Sequence, residues 1–179
     1  MVDIEFDELK REFLAEAEEK AREIAGALDA LGAGAGDLAL SQCAAGGDLL
    51  FLEAALARGL RCQVMLPLDE PEFIERSILA STDGAAWRDR WFAARAQLTD
   101  PPRLMPDDLG PGPRSSNPFE RCNDWLMNTA LAWGPDKLRF VCLWNGAGGD
   151  GPGGTQHMMD EVKRRTGRVR WIDVRTLQP

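Results

Sequence analysis

Tyrosine is absent from this chain of 179 residues, and histidine occurs once, as His157. The four cysteines, Cys43, Cys62, Cys122 and Cys142, lie far apart, and none forms the Cys-x-x-Cys pair that zinc sites commonly use. No metal site is therefore expected. Three of the cysteines fall on predicted strands or at a strand end, as small core residues do, and free buried thiols are typical of a reducing cytosol.

Basic residues are also in deficit. The chain has 21 Lys and Arg against 29 Asp and Glu, which gives a net charge of −8 at pH 7. A nucleic-acid polymer needs a basic protein face, so DNA and RNA are not expected as partners. A mononucleotide is still compatible with this charge, because a few main-chain N–H groups and one arginine can hold it.

Long apolar runs are missing as well. No run reaches the ~18 residues that a membrane-spanning helix requires, and the acidic, amphipathic N-terminal segment is unlike a signal peptide. With the free thiols, these features predict a cytoplasmic protein with no membrane partner. The length and the 44% hydrophobic content predict a single domain, residues 1–179, with a sizeable core.

Helical and strand-like segments alternate along the whole chain. This order is typical of an α/β protein with a mostly parallel sheet of about five strands. On the helix predicted for residues 117–133, the spacing places Cys122, Leu126 and Trp133 on the inward face. Predicted helices cover residues 3–31, 48–58, 72–80, 83–98, 117–133 and 156–165, and predicted strands cover 38–43, 61–66, 103–105, 138–144 and 169–174.

Residues 145–155 form the most distinctive stretch, because six of these eleven residues are glycine. An apolar strand precedes the stretch and a helix follows it. Glycine lets a ligand approach the main chain closely, and a helix N-terminus offers free N–H groups and partial positive charge. A second strand–glycine turn–helix order lies upstream, at residues 38–58. In a parallel sheet the two turns open at the same edge, which predicts one anion site.

These two turns carry a resemblance to a known family. Residues 38–59, with the Gly46-Gly47-Asp48 turn, are similar to the first glycine turn of the LOG phosphoribohydrolases. Glu120-Arg121, followed by a strand and residues 152–155, resembles their second signature. The wider group is the SLOG superfamily, whose members are Rossmann-like nucleotide-ligand sensors in bacterial signalling and defence proteins. The resemblance implies a Rossmann-like sheet with helices on both faces and a nucleotide ligand.

The resemblance and the glycine pattern together define a set of candidate ligand-binding residues. The two loops hold phosphate, Arg121 clamps it with Asn123 beside it, and Asp48 or Asp150 accepts hydrogen bonds from ribose. Two of these residues have a capping alternative, Asp48 as the N-cap of its helix and Thr155 as the N-cap of the last helix. The full set is Gly46, Gly47, Asp48, Arg121, Asn123, Gly149, Asp150, Gly151, Gly153, Gly154 and Thr155.

Three functions are compatible with this set. The first is a binding or sensor domain for a nucleotide or nucleotide-derived molecule, with no cofactor. The second is an N-glycosidic hydrolase, although the family's catalytic Glu is replaced by His157, so that His157, Asp160 or Glu161 would have to supply the acid/base group. The third is an interaction domain with vestigial loops. A homodimer formed through the long first helix is a further open alternative.

Overall fold

The computed structural model describes residues 2–106, 117–147, 154–165 and 168–177, with the backbone alone for residues 2–13. Within these residues the protein is a mixed α/β structure with six α-helices and five strands. In chain order the elements are α1 (Val2–Ala30), β1 (Leu38–Ser41), α2 (Gly47–Ala57), β2 (Arg61–Leu66), α3 (Glu70–Phe73) with a π-helix (Ile74–Leu79), α4 (Gly84–Arg95), β3 (Arg103–Leu104), α5 (Pro118–Leu131), β4 (Phe140–Trp144), α6 (Thr155–Arg165) and β5 (Val169–Asp173).

The strands form two parallel sheets. One has the order β1-β2-β3, with Leu38 opposite Arg61, and the other pairs β4 with β5, with Phe140 opposite Val169. The prediction of five strands and of parallel pairing is confirmed, but the prediction of one sheet is wrong for the described strands. A cavity lies between β1 and β4, and within the described residues the edges of these two strands do not pair.

Side-chain alternation shows that helices cover both faces of the first sheet. Ala39 and Val64 belong to the main core with α1, α2 and α4. Their chain neighbours Leu40 and Met65 pack instead with Cys122 of α5. Successive residues of a strand point to opposite faces, so α2 and α5 lie on opposite sides of β1 and β2.

The second sheet is covered in the same way. Val141 of β4 packs against the main core on the α1 side, whereas the thiol of its neighbour Cys142 lies near Lys163 of α6. Both α1 and α6 contact β4 and β5. The molecule is therefore a helix–sheet–helix sandwich on either side of the cavity.

Local capping explains where α5 begins. The side-chain oxygen of Asn117 accepts a hydrogen bond from the Phe119 N–H at 3.0 Å, and Pro118 occupies the first helical position, where its missing N–H costs nothing. This start agrees with the sequence prediction. It also fixes the first turn of α5 at the cavity.

Two negative findings apply to the described part of the chain. None of its helices is both long enough and apolar enough to cross a membrane. No group of three or more His, Cys, Asp or Glu side chains there could hold a metal ion. The four cysteines are buried and free, as predicted for small core residues.

Candidate functional site

A cavity of about 1220 Å³ lies between the two sheets. Side chains of β1, β4, α1, α5 and α6 form its walls. At the carboxyl ends of β1 and β4 it is lined by the starts of three helices, and we call this end the mouth. The mouth residues are Ser41, Gln42, Gly47, Asp48, Asn117, Phe119, Asn123, Gly154 and Thr155.

The first glycine turn is held in a conformation that requires glycine. Gly46 has φ of 93° and ψ of −131°, and α2 begins at the next residue. The Ala45 N–H donates a hydrogen bond to the Ser77 carbonyl at 3.1 Å, which anchors the turn to the π-helix. A side-chain carbon added at Gly47 would lie 3.4 Å from Cβ of Leu143, so this turn closely approaches β4. Glycines at this turn therefore let α2 begin directly at the mouth.

Asp48 does not cap α2, and that alternative is wrong, because Gly46 holds the N-cap position. Its carboxylate instead accepts hydrogen bonds from the N–H groups of Ala44 and Cys43 and from the Ser41 hydroxyl. The Asp48 side chain is exposed to solvent where it lines the cavity. The surrounding protein atoms displace part of its water and raise its pKa above the ordinary 3.8, and the three hydrogen bonds partly offset the rise.

The raised pKa of Asp48 gives a testable pH dependence. Neutral Asp48 contributes its full stabilisation below pH 3.8, and this contribution is lost as the pH rises through the raised folded-state pKa. Asp48→Asn removes the titrating carboxyl group. As the pH rises from 3.8 to the folded-state pKa, the variant should therefore gain stability relative to wild type, and above that pKa the difference should be constant. Urea unfolding across the acidic range measures this difference. A difference that is the same at every pH would contradict the assignment.

The thiol beside Asp48 is not a nucleophile in this structure. Cys43 is 1% exposed, and burial, with the nearby carboxylates of Asp48 and Glu53, raises the pKa of its thiol well above 9.0. The thiol therefore stays protonated at neutral pH. Its backbone has φ of 67°, an uncommon value for a residue with a side chain, and its N–H also donates to Ser41 Oγ at 2.9 Å.

Gln42 joins β1 to α5 and was missed by the sequence analysis. Its side chain is 6% exposed, and Nε2 donates hydrogen bonds to the Phe119 carbonyl at 3.2 Å and to Asn123 Oδ1 at 2.5 Å. A polar residue directly after an apolar strand was the sequence feature that could have indicated this role. The bridge fixes the first turn of α5 beside the first glycine turn.

Gln42→Ala should lower the free energy of unfolding by about 1–3 kcal/mol, because the half-buried partners on α5, the Phe119 carbonyl and Asn123 Oδ1, lose their donor. Gln63→Ala is the matched control, since Gln63 donates to the carbonyls of Val64 and Pro101 outside the mouth and with more exposure. The control should change stability by less than about 1 kcal/mol. Equal losses in chemical denaturation would show that the Gln42 bridge has no special role.

The second glycine turn reaches the mouth at its last two residues. The Gly154 carbonyl accepts the first hydrogen bond of α6, from the Met158 N–H at 3.1 Å, so Gly154 is the N-cap, one residue before the predicted Thr155. Gly154 and Thr155 both line the cavity with Gly47 and Asp48. The remaining predicted loop residues, Gly149, Asp150, Gly151 and Gly153, lie outside the described residues.

Of the two predicted site residues on α5, Asn123 and Arg121, only Asn123 lines the cavity. Asn123 lines the mouth, where it accepts the hydrogen bond from Gln42. Arg121 is half-buried one turn into the helix, and it is not among the residues that line the cavity. In the described mouth, partial positive charge therefore comes from main-chain N–H groups, and Asp48 is the one charged side chain.

None of the three acid/base candidates on α6 lines the cavity. Glu161 forms ion pairs with Arg164 and Arg165, and the hydrogen bond from Arg164 lowers the pKa of Glu161. A carboxyl group held in the ionised form is a poor general acid. His157 and Asp160 lie on the same helix outside the cavity wall.

Comparison with known proteins adds no assignment. No family model, no curated protein and no solved structure matches the chain. The likeness to SLOG proteins stays a resemblance of short motifs.

Proposed function

We propose that this protein is a binding domain for a nucleotide or a nucleotide-derived signal, with phosphate held at the mouth. One observation carries the proposal: the first turns of α2, α5 and α6 line the same cavity. Each helix start carries about half a positive charge, and the starts of α2 and α6 also present main-chain N–H groups that have no partner within the helix. At α5, Pro118 has no N–H and Asn117 caps the Phe119 N–H, so this helix contributes its partial charge. Three such ends that face one space favour an anion, although the chain as a whole carries −8.

The chain topology supports the same position for a ligand. From β1 the chain passes through α2 to β2 on one side, whereas from β3 it passes through α5 to β4 on the other side. The cavity lies between β1 and β4, where these two directions diverge. In a Rossmann-like sheet this point, at the carboxyl ends of the strands, is where ligands bind. A Rossmann-like, doubly wound arrangement of the two sheets is part of the proposal.

Asp48 gives the proposed ligand a second recognition point. A carboxylate repels phosphate but accepts hydrogen bonds from sugar hydroxyl groups, as acids do in nucleotide-binding folds. The phosphate then lies against the main-chain N–H groups at the starts of α2 and α6, and the ribose lies on the side of the Asp48 carboxylate. Arg121 and Asp150 are secondary candidates in this proposal, as phosphate clamp and sugar acceptor.

A thermal-shift comparison tests the proposal. AMP and ADP-ribose should raise the melting temperature of the purified chain, and adenosine should raise it less, because only the first two carry phosphate. At a ligand concentration of about 100 times Kd the stabilisation should be about 2.7 kcal/mol. Equal shifts with AMP and adenosine would exclude phosphate recognition, and the absence of any shift at millimolar ligand would support a domain with vestigial loops.

A nucleotide-cleaving enzyme is the second candidate, and the position of Asp48 favours it. A carboxyl group with a raised pKa at a ligand cavity is suited to donate or accept a proton during N-glycosidic cleavage. Adenine release from AMP, measured by chromatography, should then disappear in Asp48→Asn. Unchanged AMP after prolonged incubation would leave the binding domain as the function.

A further inference from the structure

The cavity continues below the mouth as a slot between the facing edges of β1 and β4. Its lining includes every residue of β1 and four residues of β4, Phe140 to Leu143. Among the described strands, β1 pairs only with β2 and β4 pairs only with β5. Each strand therefore presents one row of main-chain N–H and C=O groups to the slot without a strand partner.

The two remaining walls of the slot are apolar. Ile24 and Leu28 of α1 line it from one side, and Leu126 and Met127 of α5, with Val162 of α6, line it from the other. Helices thus cover both faces of the space between two parallel strands. The strand that fits such an environment is buried on both faces and is apolar along its whole length.

The length and volume of the slot agree with one strand position, for which the flanking strands would lie about 10 Å apart, twice the usual spacing of about 4.8 Å. The slot runs from Leu31 and Asp136 at one end to Gly47 and Thr155 at the other, the full length of β1 and β4. A volume of about 1220 Å³ leaves room for a strand in the slot and a ligand at the mouth.

Connection handedness shows that the slot is a regular strand position. The path β1–α2–β2 is a crossover on the α1 side of the sheet, and crossovers between parallel strands are almost always right-handed. On that side of the sheet, each connecting helix therefore leads to a strand that lies one position farther from β4. Helix α1 lies on the same side and leads into β1. A strand that α1 connects to β1 would therefore lie beside β1 on its β4 side, and this position is the slot.

Neither of the two longer stretches outside the described residues has the composition of a central strand. Residues 107–116 contain two prolines and two glycines with a cluster of charged and polar residues, and residues 148–153 are glycine, aspartate and proline only. A central strand needs an apolar run and a full set of N–H donors. The described residues are all placed elsewhere.

We propose that the slot binds one extended, apolar polypeptide strand from outside these 179 residues, which pairs with both β1 and β4. The added strand joins the two sheets into one parallel sheet of six strands. An extended polypeptide is the occupant because only its main chain supplies donors and acceptors to both edges, whereas a lipid chain would leave the edges unpaired. Its carboxyl end then lies at the mouth, beside Gly47.

Hydrogen exchange of the intact chain tests this proposal without any nucleotide. The probe is a synthetic peptide with a central run of about six Val, Ile and Leu residues, a usual strand length, between lysine pairs for solubility. The control peptide carries proline at the centre of the run, which removes a main-chain donor. In a second form of the experiment, the apolar sequence or its proline control is fused ahead of Val2 through a Gly-Ser linker. The linker raises the effective concentration of the fused sequence at the slot to about millimolar.

When the free peptide concentration is about 100 times Kd, the bound strand should slow amide hydrogen exchange about 100-fold in both Leu38–Ser41 and Phe140–Trp144. The proline peptide should leave the exchange rates of both segments unchanged. Protection of one edge only, equal protection by the proline peptide, or no protection in either arm would overturn the proposal. Protection that appears without peptide as protein concentration rises would identify a second copy as the occupant and would also overturn it. The nucleotide proposal is tested separately, by thermal shift without peptide.

Discussion

A Gly84→Ala variant is expected to lose about 3 kcal/mol or more of folding free energy, the largest loss expected from any substitution considered for this chain. A side-chain carbon at Gly84 would lie 2.4 Å from the Leu79 carbonyl oxygen and 2.7 Å from Cα of Leu79. These are main-chain atoms, which cannot move aside as a flexible side chain can. The start of α4 would therefore have to shift, together with buried Trp87 and Trp91.

For a chain of this length, such a loss lowers the melting temperature by roughly 6–12 °C. Gly26→Ala is the control, because Gly26 lies in α1 with no atom within 4 Å of the added carbon. That variant should gain about 0.5–1 kcal/mol from helix propensity. Calorimetry that places Gly84→Ala within about 0.5 kcal/mol of wild type would contradict the packing of the π-helix against α4.

Substitution at either glycine turn is expected to abolish most nucleotide binding. Gly47→Val places a branched side chain at the first residue of α2, against Leu143. Gly154→Val places a branched side chain at the N-cap of α6. Each should displace the phosphate from main-chain donors. A hydrogen bond to a charged group contributes about 1.5–3 kcal/mol, so the affinity for AMP should fall roughly 10- to 150-fold in each variant.

Isothermal titration with AMP measures these losses directly, and Gly34→Val is the matched control. Gly34 lies between α1 and β1 and has no atom within 4 Å of an added side-chain carbon, so its substitution should leave the affinity unchanged. The two turn variants need a melting temperature near that of wild type for the comparison. A loss at one turn and none at the other would show that the turns do not share one ligand.

Local patterns predicted much of the fold. Asn117 and Pro118 mark the start of α5 by side chains that act within one turn, so the sequence was sufficient there. Strand β2 agrees with its predicted bounds, 61–66, because an apolar run ends at a proline. Trp133 was predicted to face inward but is 61% exposed, because α5 ends at Leu131 and the helical spacing no longer applies beyond it.

Long-range relations could not be predicted from local pattern. Whether β1 pairs with β4 depends on what fills the space between them, and neither strand's own residues contain that information. The capping alternative for Asp48 was wrong, because its carboxylate reaches back to the N–H groups of Cys43 and Ala44. Gln42 gained its role from a helix that lies far along the chain.

The two proposals place different molecules in one cavity. The nucleotide occupies the mouth, and the apolar strand occupies the slot below it. A strand in the slot would fix β1 and β4 relative to each other and so fix the distance between the α2 and α6 starts. Affinity for AMP should therefore rise when the strand is bound, because the two helix starts are then pre-organised.

The central claim is that the starts of α2 and α6 hold the same phosphate. Two-dimensional ¹H–¹⁵N NMR of the labelled chain, titrated in parallel with AMP and with adenosine, tests this most directly. The account predicts that the amide signals of Gly47, Asp48, Thr155 and Gln156 all move with AMP, with one common Kd, and move much less with adenosine. Movement at only one of the two helix starts, or equal movement with adenosine, would contradict it.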